Sequence, residues 1–127
     1  MVSLLLLSHS SKVVEGIRDL ALEMAAGVNI IPVGGTKAGT LGSDFDRIFE
    51  AMEKAASHGE VVVIADLGSA KTTGEMAKET LEESLQKKVF LCDAAIVEGA
   101  VAAAVSIAGG LTAEKVVAEL SDYLLDK

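Results

Sequence analysis

The chain has 127 residues, which is the size of one domain. Its 19 Asp and Glu residues against 11 Lys and Arg residues give a net charge of −8, and such an acidic surface is repelled by nucleic-acid phosphates and anionic lipids. We therefore expect no nucleic-acid partner and no membrane partner. The single cysteine, Cys92, excludes an internal disulfide, and two histidines are too few for a site built from several imidazoles.

The distribution of apolar residues predicts a cytoplasmic protein of one domain, residues 1–127. The longest uncharged stretch lies between Glu98 and Glu114 and is rich in Ala and Gly. It is too short and too weakly apolar for a membrane span of about 20 residues. Half of all residues are hydrophobic, which predicts that a second subunit covers part of the surface. The helix Val97–Ala108 is the candidate contact, because its apolar residues cover more than one of its faces.

Segments typical of strands alternate with segments typical of helices from the start of the chain. The continuous apolar run Val2–Leu7 predicts a strand buried on both faces, and a helix is predicted over Lys12–Ala26. Val28–Val33 predicts a second strand, which Pro32 places at a sheet edge because proline cannot donate a ladder hydrogen bond. The glycine-rich segment Gly34–Gly42 is predicted to be a loop, and it matches neither glycine motif that binds nucleotides.

The second half of the chain continues the alternation. A helix capped by Ser43 is predicted to run to about Ser57, and the apolar run Val61–Ala65 predicts a third strand that ends just before Asp66. The remaining predicted elements are a polar helix over Thr73–Gln86, a strand over Val89–Cys92, the apolar helix Val97–Ala108, and a final helix that is capped by Thr112 and turns Val116, Val117, Leu120 and Leu124 inward.

Four strands that are each followed by a helix predict an α/β fold with an open, mainly parallel sheet and helices on both faces. In the strand order 2-1-3-4 the winding direction reverses between the first and third strands, and the sites of such sheets lie at that reversal. The residues just past these two strands include His9 and Asp66. This topology therefore predicts that His9 lies beside Asp66.

A histidine that faces an aspartate is suited to carry a phosphoryl group. Imidazole, with a pKa of about 6.5, keeps one nitrogen lone pair free at neutral pH. A carboxylate that accepts the other ring N–H fixes the tautomer and stabilises positive charge on the ring. We therefore predict His9 and Asp66 as the catalytic pair, with no metal ion. The groups predicted to bind phosphoryl oxygens are the hydroxyls of Ser10, Ser11 and Ser69 and the backbone around Gly68.

Each of these features also has an interpretation without chemistry. His9, between two serines, is suited to cap the helix that follows, and Asp66 is suited to a loop. His58 is interpreted as an exposed residue in the last turn of a helix, and Cys92 as a small core residue. For Gly34–Gly42, a mobile flap near the site and a nucleotide-binding loop remain alternatives.

Three segments resemble a known family over nearly the whole chain. They are Val2–Ser10, Ile64–Ala70 and Leu91–Ala100, each at the end of a predicted strand. Together they are similar to the DhaM phosphotransferase subunits of phosphoenolpyruvate-dependent dihydroxyacetone kinases, which belong with the mannose-type IIA domains of the bacterial phosphotransferase system. The resemblance maps the phosphorylated histidine of that family onto His9 and its orienting aspartate onto Asp66.

The resemblance implies a homodimeric phosphocarrier. Such a domain receives phosphate from the protein HPr and passes it to ADP on the nucleotide-binding subunit of the kinase, so that ADP and ATP stay on that partner and this chain binds no cofactor. A chain of one domain is expected to depend on a separate HPr-like donor or on another protein donor. Two alternatives stay open: a sugar-specific mannose-type IIA component that phosphorylates a IIB protein, and a regulatory small-molecule-binding module that is not phosphorylated.

Overall fold

Four parallel strands form one sheet in the order β2-β1-β3-β4. The computed structural model describes residues 1–127. The strands are β1 (Val2–Ser8), β2 (Ile30–Gly34), β3 (Glu60–Ala65) and β4 (Val89–Cys92). The helices are α1 (Ser11–Met24), α2 (Phe45–His58), α3 (Gly68–Thr80), α4 (Glu83–Gln86), α5 (Ile96–Ala108) and α6 (Ala113–Glu119), and a 3-10 turn covers Leu120–Tyr123. The predicted fold class and strand order are confirmed.

The sheet separates two apolar cores, one on each face. Leu4 and Leu6 of β1 pack toward α1, α5 and α6, whereas Leu5 and Leu7 pack toward α2 and α3. All four leucines are fully buried, which explains why β1 is an unbroken apolar run rather than an alternating one. At about 2 kcal/mol for each fully buried leucine, the strand is strongly anchored and fixes the position of the residues that follow it.

The strand register brings the ends of β1 and β3 to the same level. Leu7 is paired with Ala65, and the N–H of Asp66 donates to the carbonyl of Leu7 over 2.9 Å. The residues after this pair therefore leave the sheet at the crevice where the winding reverses. On the other side of β1, Pro32 lies in β2, which is an edge strand as predicted.

The helix predicted over Thr73–Gln86 is wrong at its start and in its continuity. α3 begins at Gly68 and ends at Thr80, and the separate short helix α4 follows. The chain leaves α3 because Leu81 adopts an extended backbone and buries its side chain in the core. The earlier start places the first turn of α3 directly after β3.

Two smaller predictions are also wrong. Asp44 caps α2 in place of Ser43, since its carboxylate accepts the N–H of Arg47 over 3.3 Å. Leu124 does not lie on the inner face of α6, because the helix ends before it. It is 53% exposed and forms an antiparallel bridge with Ala94.

The most apolar helix, α5, is packed within the chain along one side. Its small residues Gly99, Ala100, Ala103 and Ala104 are buried in contact with α1 and the sheet. The approach is close, since a Cβ on Gly99 would lie 2.9 Å from the Cβ of Ala94. Neither α5 nor any other helix has the length and apolar character needed to cross a membrane.

Candidate active site

The ends of β1 and β3 meet in a histidine–aspartate pair. His9 Nδ1 lies 3.0 Å from Asp66 Oδ1, and each residue is the first past its strand. The side chains are 23% and 16% exposed respectively. The predicted proximity of the two residues is confirmed, and both remain within reach of solvent.

Asp66 is held as a carboxylate by hydrogen bonds. Its oxygens accept from the Ser8 hydroxyl at 2.8 Å, from the backbone N–H of His9 at 3.1 Å and from the backbone N–H of Leu67 at 2.7 Å. Partial burial raises the pKa of the Asp66 carboxyl, but the hydrogen bonds outweigh it and leave the pKa below its ordinary value. Because an ionised carboxylate only accepts hydrogen bonds, Nδ1 of His9 carries the ring proton and Nε2 carries the free lone pair.

The free nitrogen of His9 faces two serine hydroxyls. Ser69 Oγ contacts Nε2 directly, and Ser43 Oγ lies 3.4 Å from it. Ser69 is in the first turn of α3, where Leu67 provides no side-chain cap. Since the first N–H groups of a helix have no partner within it, those of α3 and the positive end of its dipole are available to an anion near Nε2.

The four residues predicted to bind phosphoryl oxygens do not all lie at Nε2. Gly68 and Ser69 form the start of α3, beside the ring. The Ser10 hydroxyl instead caps α1 by accepting the N–H of Val13 over 3.3 Å. Ser11 is the exposed first residue of α1, and its hydroxyl makes no hydrogen bond within the chain. Their roles toward phosphate stay predictions.

Both sequence and fold match a known family. A family model named EIIA-man, described as the fructose IIA component of the PTS system, matches residues 3–117. The phosphoryl donor subunit DhaM of PEP-dependent dihydroxyacetone kinase 2 from Listeria innocua is 35% identical over 123 residues, which make up 96% of this chain and 98% of that protein. The chain belongs to the DhaM family of EIIA-man domains.

Other DhaM proteins match over a smaller share of their own length. Those of Klebsiella michiganensis and Escherichia coli are 35% and 37% identical over 98% and 92% of this chain, but over only 27% and 26% of their own lengths. The chain thus spans about a quarter of the length of these two relatives. Among solved structures, EF1359, described as a protein of unknown function, matches with a TM-score of 0.87 and 38% identity, covering 98% of this chain and 96% of that one.

Ser43 is the residue at this DhaM-family site that sequence reasoning missed. The sequence predicts it to be a helix cap, whereas the structure brings its hydroxyl to Nε2 of His9. The N–H of the preceding residue, Gly42, donates to the carbonyl of His9 over 2.9 Å. The predicted strand order could have indicated this position. In the order 2-1-3-4, the segment after β2 leaves the sheet next to the end of β1, where His9 lies.

The histidine–aspartate pair forms no hydrogen bond with Lys71, Cys92 or His58. Lys71 Nζ lies 3.0 Å from Asp93 Oδ2, and this hydrogen bond raises the pKa of Lys71. Cys92 is 7% exposed, and burial raises the pKa of its thiol, which fits a core residue. His58 is close to the carbonyl of Lys54 at the end of α2. No three His, Cys, Asp or Glu side chains form a group suited to a metal ion.

Proposed function

We propose that this chain carries a phosphoryl group on Nε2 of His9 between a phosphorylated protein and a nucleotide. The donor is HPr, charged from phosphoenolpyruvate, and the acceptor is ADP on the nucleotide-binding subunit of dihydroxyacetone kinase. The observation that carries the proposal is the pair with Asp66, which leaves Nε2 with its lone pair, partly exposed and beside the start of α3. The names of the DhaM relatives support a kinase subunit as the acceptor.

The chemistry needs two displacements at phosphorus. First, the lone pair of Nε2 attacks the phosphorus, the bond from phosphorus to the donor's histidine nitrogen breaks, and that electron pair leaves with the donor. Asp66 stabilises the positive charge gained by the ring. Second, an oxygen of the terminal phosphate of ADP attacks, and the Nε2–phosphorus electron pair returns to His9. Both steps depend mainly on holding nucleophile and leaving group in line.

The shallow position of His9 suits a relay. A carrier must release what it binds, so donor, carrier and acceptor need similar phosphoryl-transfer potentials. A deep pocket with many hydrogen-bond donors would trap the phosphoryl group. A histidine that is 23% exposed, with two hydroxyls and one helix N-terminus beside it, supports a site that two proteins approach in turn.

The proposal assigns protein partners and no bound cofactor to this chain. ADP and ATP remain on the kinase subunit, so this chain needs no nucleotide site of its own, and Gly34–Gly42 has no nucleotide motif. A second copy of the chain completes a homodimer. We place the reaction in the cytoplasm, in keeping with a single unpaired cysteine.

Phosphorylation from phosphoenolpyruvate tests the proposal. Incubation with phosphoenolpyruvate, enzyme I and HPr should add one phosphoryl group that is labile to acid and stable to base. His9→Ala should abolish the labelling, whereas His58→Ala, which removes the histidine at the end of α2, should retain it. An unlabelled wild-type chain in the presence of an active donor system would contradict the proposal.

The acceptor is tested with the phosphorylated chain. The ADP-loaded kinase subunit should discharge it and form ATP, whereas a mannose-type IIB protein should leave it charged. Discharge by the IIB protein alone would instead assign the chain to sugar transport. A small molecule retained through purification, together with an unreactive His9, would support a regulatory module.

A further inference from the structure

The last residue of β2 and the nine residues after it, residues 34–43, are hydrogen-bonded to the strand end that carries His9. We refer to these residues as the glycine loop. The N–H of Gly35 donates to the Ser8 carbonyl over 3.2 Å, and the N–H of Gly42 donates to the His9 carbonyl over 2.9 Å. These hydrogen bonds attach both ends of the glycine loop to the end of β1. The glycine loop is therefore held in place beside His9.

The guanidinium of Arg47 holds the start of the glycine loop from α2. Its Nη1 donates to the carbonyl of Gly34 over 2.6 Å and to that of Gly35 over 2.9 Å. Hydrogen bonds from a charged donor are stronger than neutral ones. Because α2 is anchored on the sheet by buried residues such as Ile48, Arg47 ties the position of the glycine loop to that of the helix.

Two glycines allow this close packing. A Cβ on Gly34 would lie 2.5 Å from the carbonyl oxygen of Ser10. Gly35 has a φ of +71°, and a Cβ there would lie 2.7 Å from the carbonyl oxygen of Thr40. The backbone at these two glycines therefore lies too close to neighbouring backbone to admit a side chain, which constrains the path of the glycine loop.

The glycine loop presents Ser43 to the reactive nitrogen. The next residue, Asp44, is fixed because its carboxylate accepts the N–H of Lys37 over 3.2 Å. The Ser43 hydroxyl has no hydrogen-bond partner other than Nε2 of His9, 3.4 Å away. Ser43 follows β2 and Ser69 follows β3, which flank β1 in the sheet, and the two hydroxyls meet at Nε2.

We propose that the Ser43 hydroxyl donates a hydrogen bond to a phosphoryl oxygen on Nε2, and that Arg47 is a positioning residue that acts through the glycine loop. This inference rests on the proposed function. A distance of 3.4 Å is long for a hydrogen bond to Nε2 itself, but a phosphoryl group on that nitrogen extends its oxygens outward, toward the hydroxyl. The transferring group carries charge on its outer oxygens, and a neutral hydroxyl stabilises this charge without trapping the group.

Ser43→Ala tests the hydroxyl. In single-turnover transfer from phosphorylated HPr, we expect the variant to be labelled on His9 but about tenfold more slowly. The phosphorus NMR signal of its phosphohistidine should also move from the wild-type position. The matched control is Ser57→Ala, which removes an exposed hydroxyl bonded to the carbonyl of Glu53 on α2 and should keep the wild-type rate and signal.

The outcomes separate this inference from the proposed function. A wild-type rate together with a wild-type phosphorus signal in Ser43→Ala overturns the inference and leaves the phosphocarrier proposal intact. A wild-type chain that is never labelled refutes the phosphocarrier proposal itself.

Arg47→Met tests the positioning role, because it keeps an apolar stem and removes the guanidinium. We expect slower transfer in the wild-type background and no further loss in the Ser43→Ala background, since both changes affect the same hydrogen bond. Independent, multiplying effects would overturn the role of Arg47. Thermal unfolding is followed in parallel, and Arg47→Lys serves for the same comparison if Arg47→Met does not fold.

Discussion

A single carboxylate organises the residues at the crevice. Asp66 accepts hydrogen bonds from both the ring and the backbone N–H of His9. The buried hydroxyl of Ser8 donates to the same carboxylate and accepts the N–H of Ser10, so this polar group is fully satisfied. The tautomer of the ring and the path of the backbone after β1 therefore depend on one side chain.

We expect Asp66→Asn to keep the fold and slow phosphoryl transfer. The amide can donate a hydrogen bond to Nδ1, so that the ring proton moves to Nε2 and the lone pair of Nε2 is no longer free to attack phosphorus. The neutral amide also no longer stabilises the positive charge of a phosphorylated ring. Loss of such an orienting partner should reduce the single-turnover rate on the order of a hundredfold. Asp19→Asn, a change at an exposed carboxylate on α1, should retain the wild-type rate. Equal rates for the Asp66 variant and wild type would remove Asp66 from the mechanism.

Asp66 also makes stability depend on pH. Its pKa in the folded state lies below the ordinary carboxyl value of 3.8, so the unfolded state takes up the proton first as the pH falls. The stabilisation is fully present above that ordinary value and is lost as the pH falls through the folded-state pKa. We expect the gap between the urea midpoints of the wild type and Asp66→Asn to stay constant from neutral pH down to about the ordinary carboxyl value and to narrow below it.

The same comparison has an internal control. The pKa of Asp44 is also lowered, through its hydrogen bonds with the backbone of Arg47 and Lys37, which outweigh desolvation. Asp44 titrates in both proteins and cancels in the difference between their midpoints. A gap that does not change with pH would show that Asp66 has the same pKa folded and unfolded.

The sequence predicted the central pair of the candidate site but not its full surroundings. The pairing of His9 with Asp66 could be predicted because the ends of buried strands are well defined in the sequence and the strand order follows from topology rules. The place of Ser43 at the site was not predicted, because it depends on the path of a ten-residue loop and on the side chain of Arg47. Ser10 illustrates the opposite case, since its hydroxyl is used to cap a helix.

At the scale of whole elements, strands were predicted better than helix ends. The strands are apolar throughout because both faces are covered, and this pattern survives in the sequence. The first turn of α3 was missed because Gly68 and Ser69 are typical of loops. In the structure, the hydroxyls of Thr72 and Thr73 donate to the carbonyls of Gly68 and Ser69, one turn earlier in the same helix. The helix propensities of single residues do not predict these hydrogen bonds.

Two glycine substitutions separate close packing from helix propensity. Gly34→Ala should destabilise the fold by about 2 kcal/mol, because its Cβ would meet the backbone at Ser10 and neither side can move freely. Gly16→Ala should stabilise it by about 1 kcal/mol, because nothing lies within 4 Å of the added Cβ and alanine favours the helix. Urea unfolding of both variants measures the difference, and a Gly34→Ala variant as stable as wild type would contradict the close approach.

At the scale of the whole molecule, α5 offers an apolar surface on its outer side. Its inner side is buried against α1, whereas Val97 and Val105 are 42% and 49% exposed. Eight residues apart, they lie on the same face of the helix. We expect a dimer in sedimentation experiments and a shift toward monomer in Val105→Asp, since burying an unpaired charge opposes association. A wild-type chain that sediments as a monomer at micromolar concentration would contradict the prediction.

The two hydrogen bonds between His9 and Asp66 affect the order in which partner proteins can bind at the site. The imidazole cannot swing about its Cα–Cβ bond without breaking the bond to Asp66, so its outward nitrogen stays at one point in space. Under the proposed relay, the delivering and the collecting protein must each cover that point. The two proteins cannot bind there at the same time. They therefore bind in turn, and an excess of either one competitively inhibits the other.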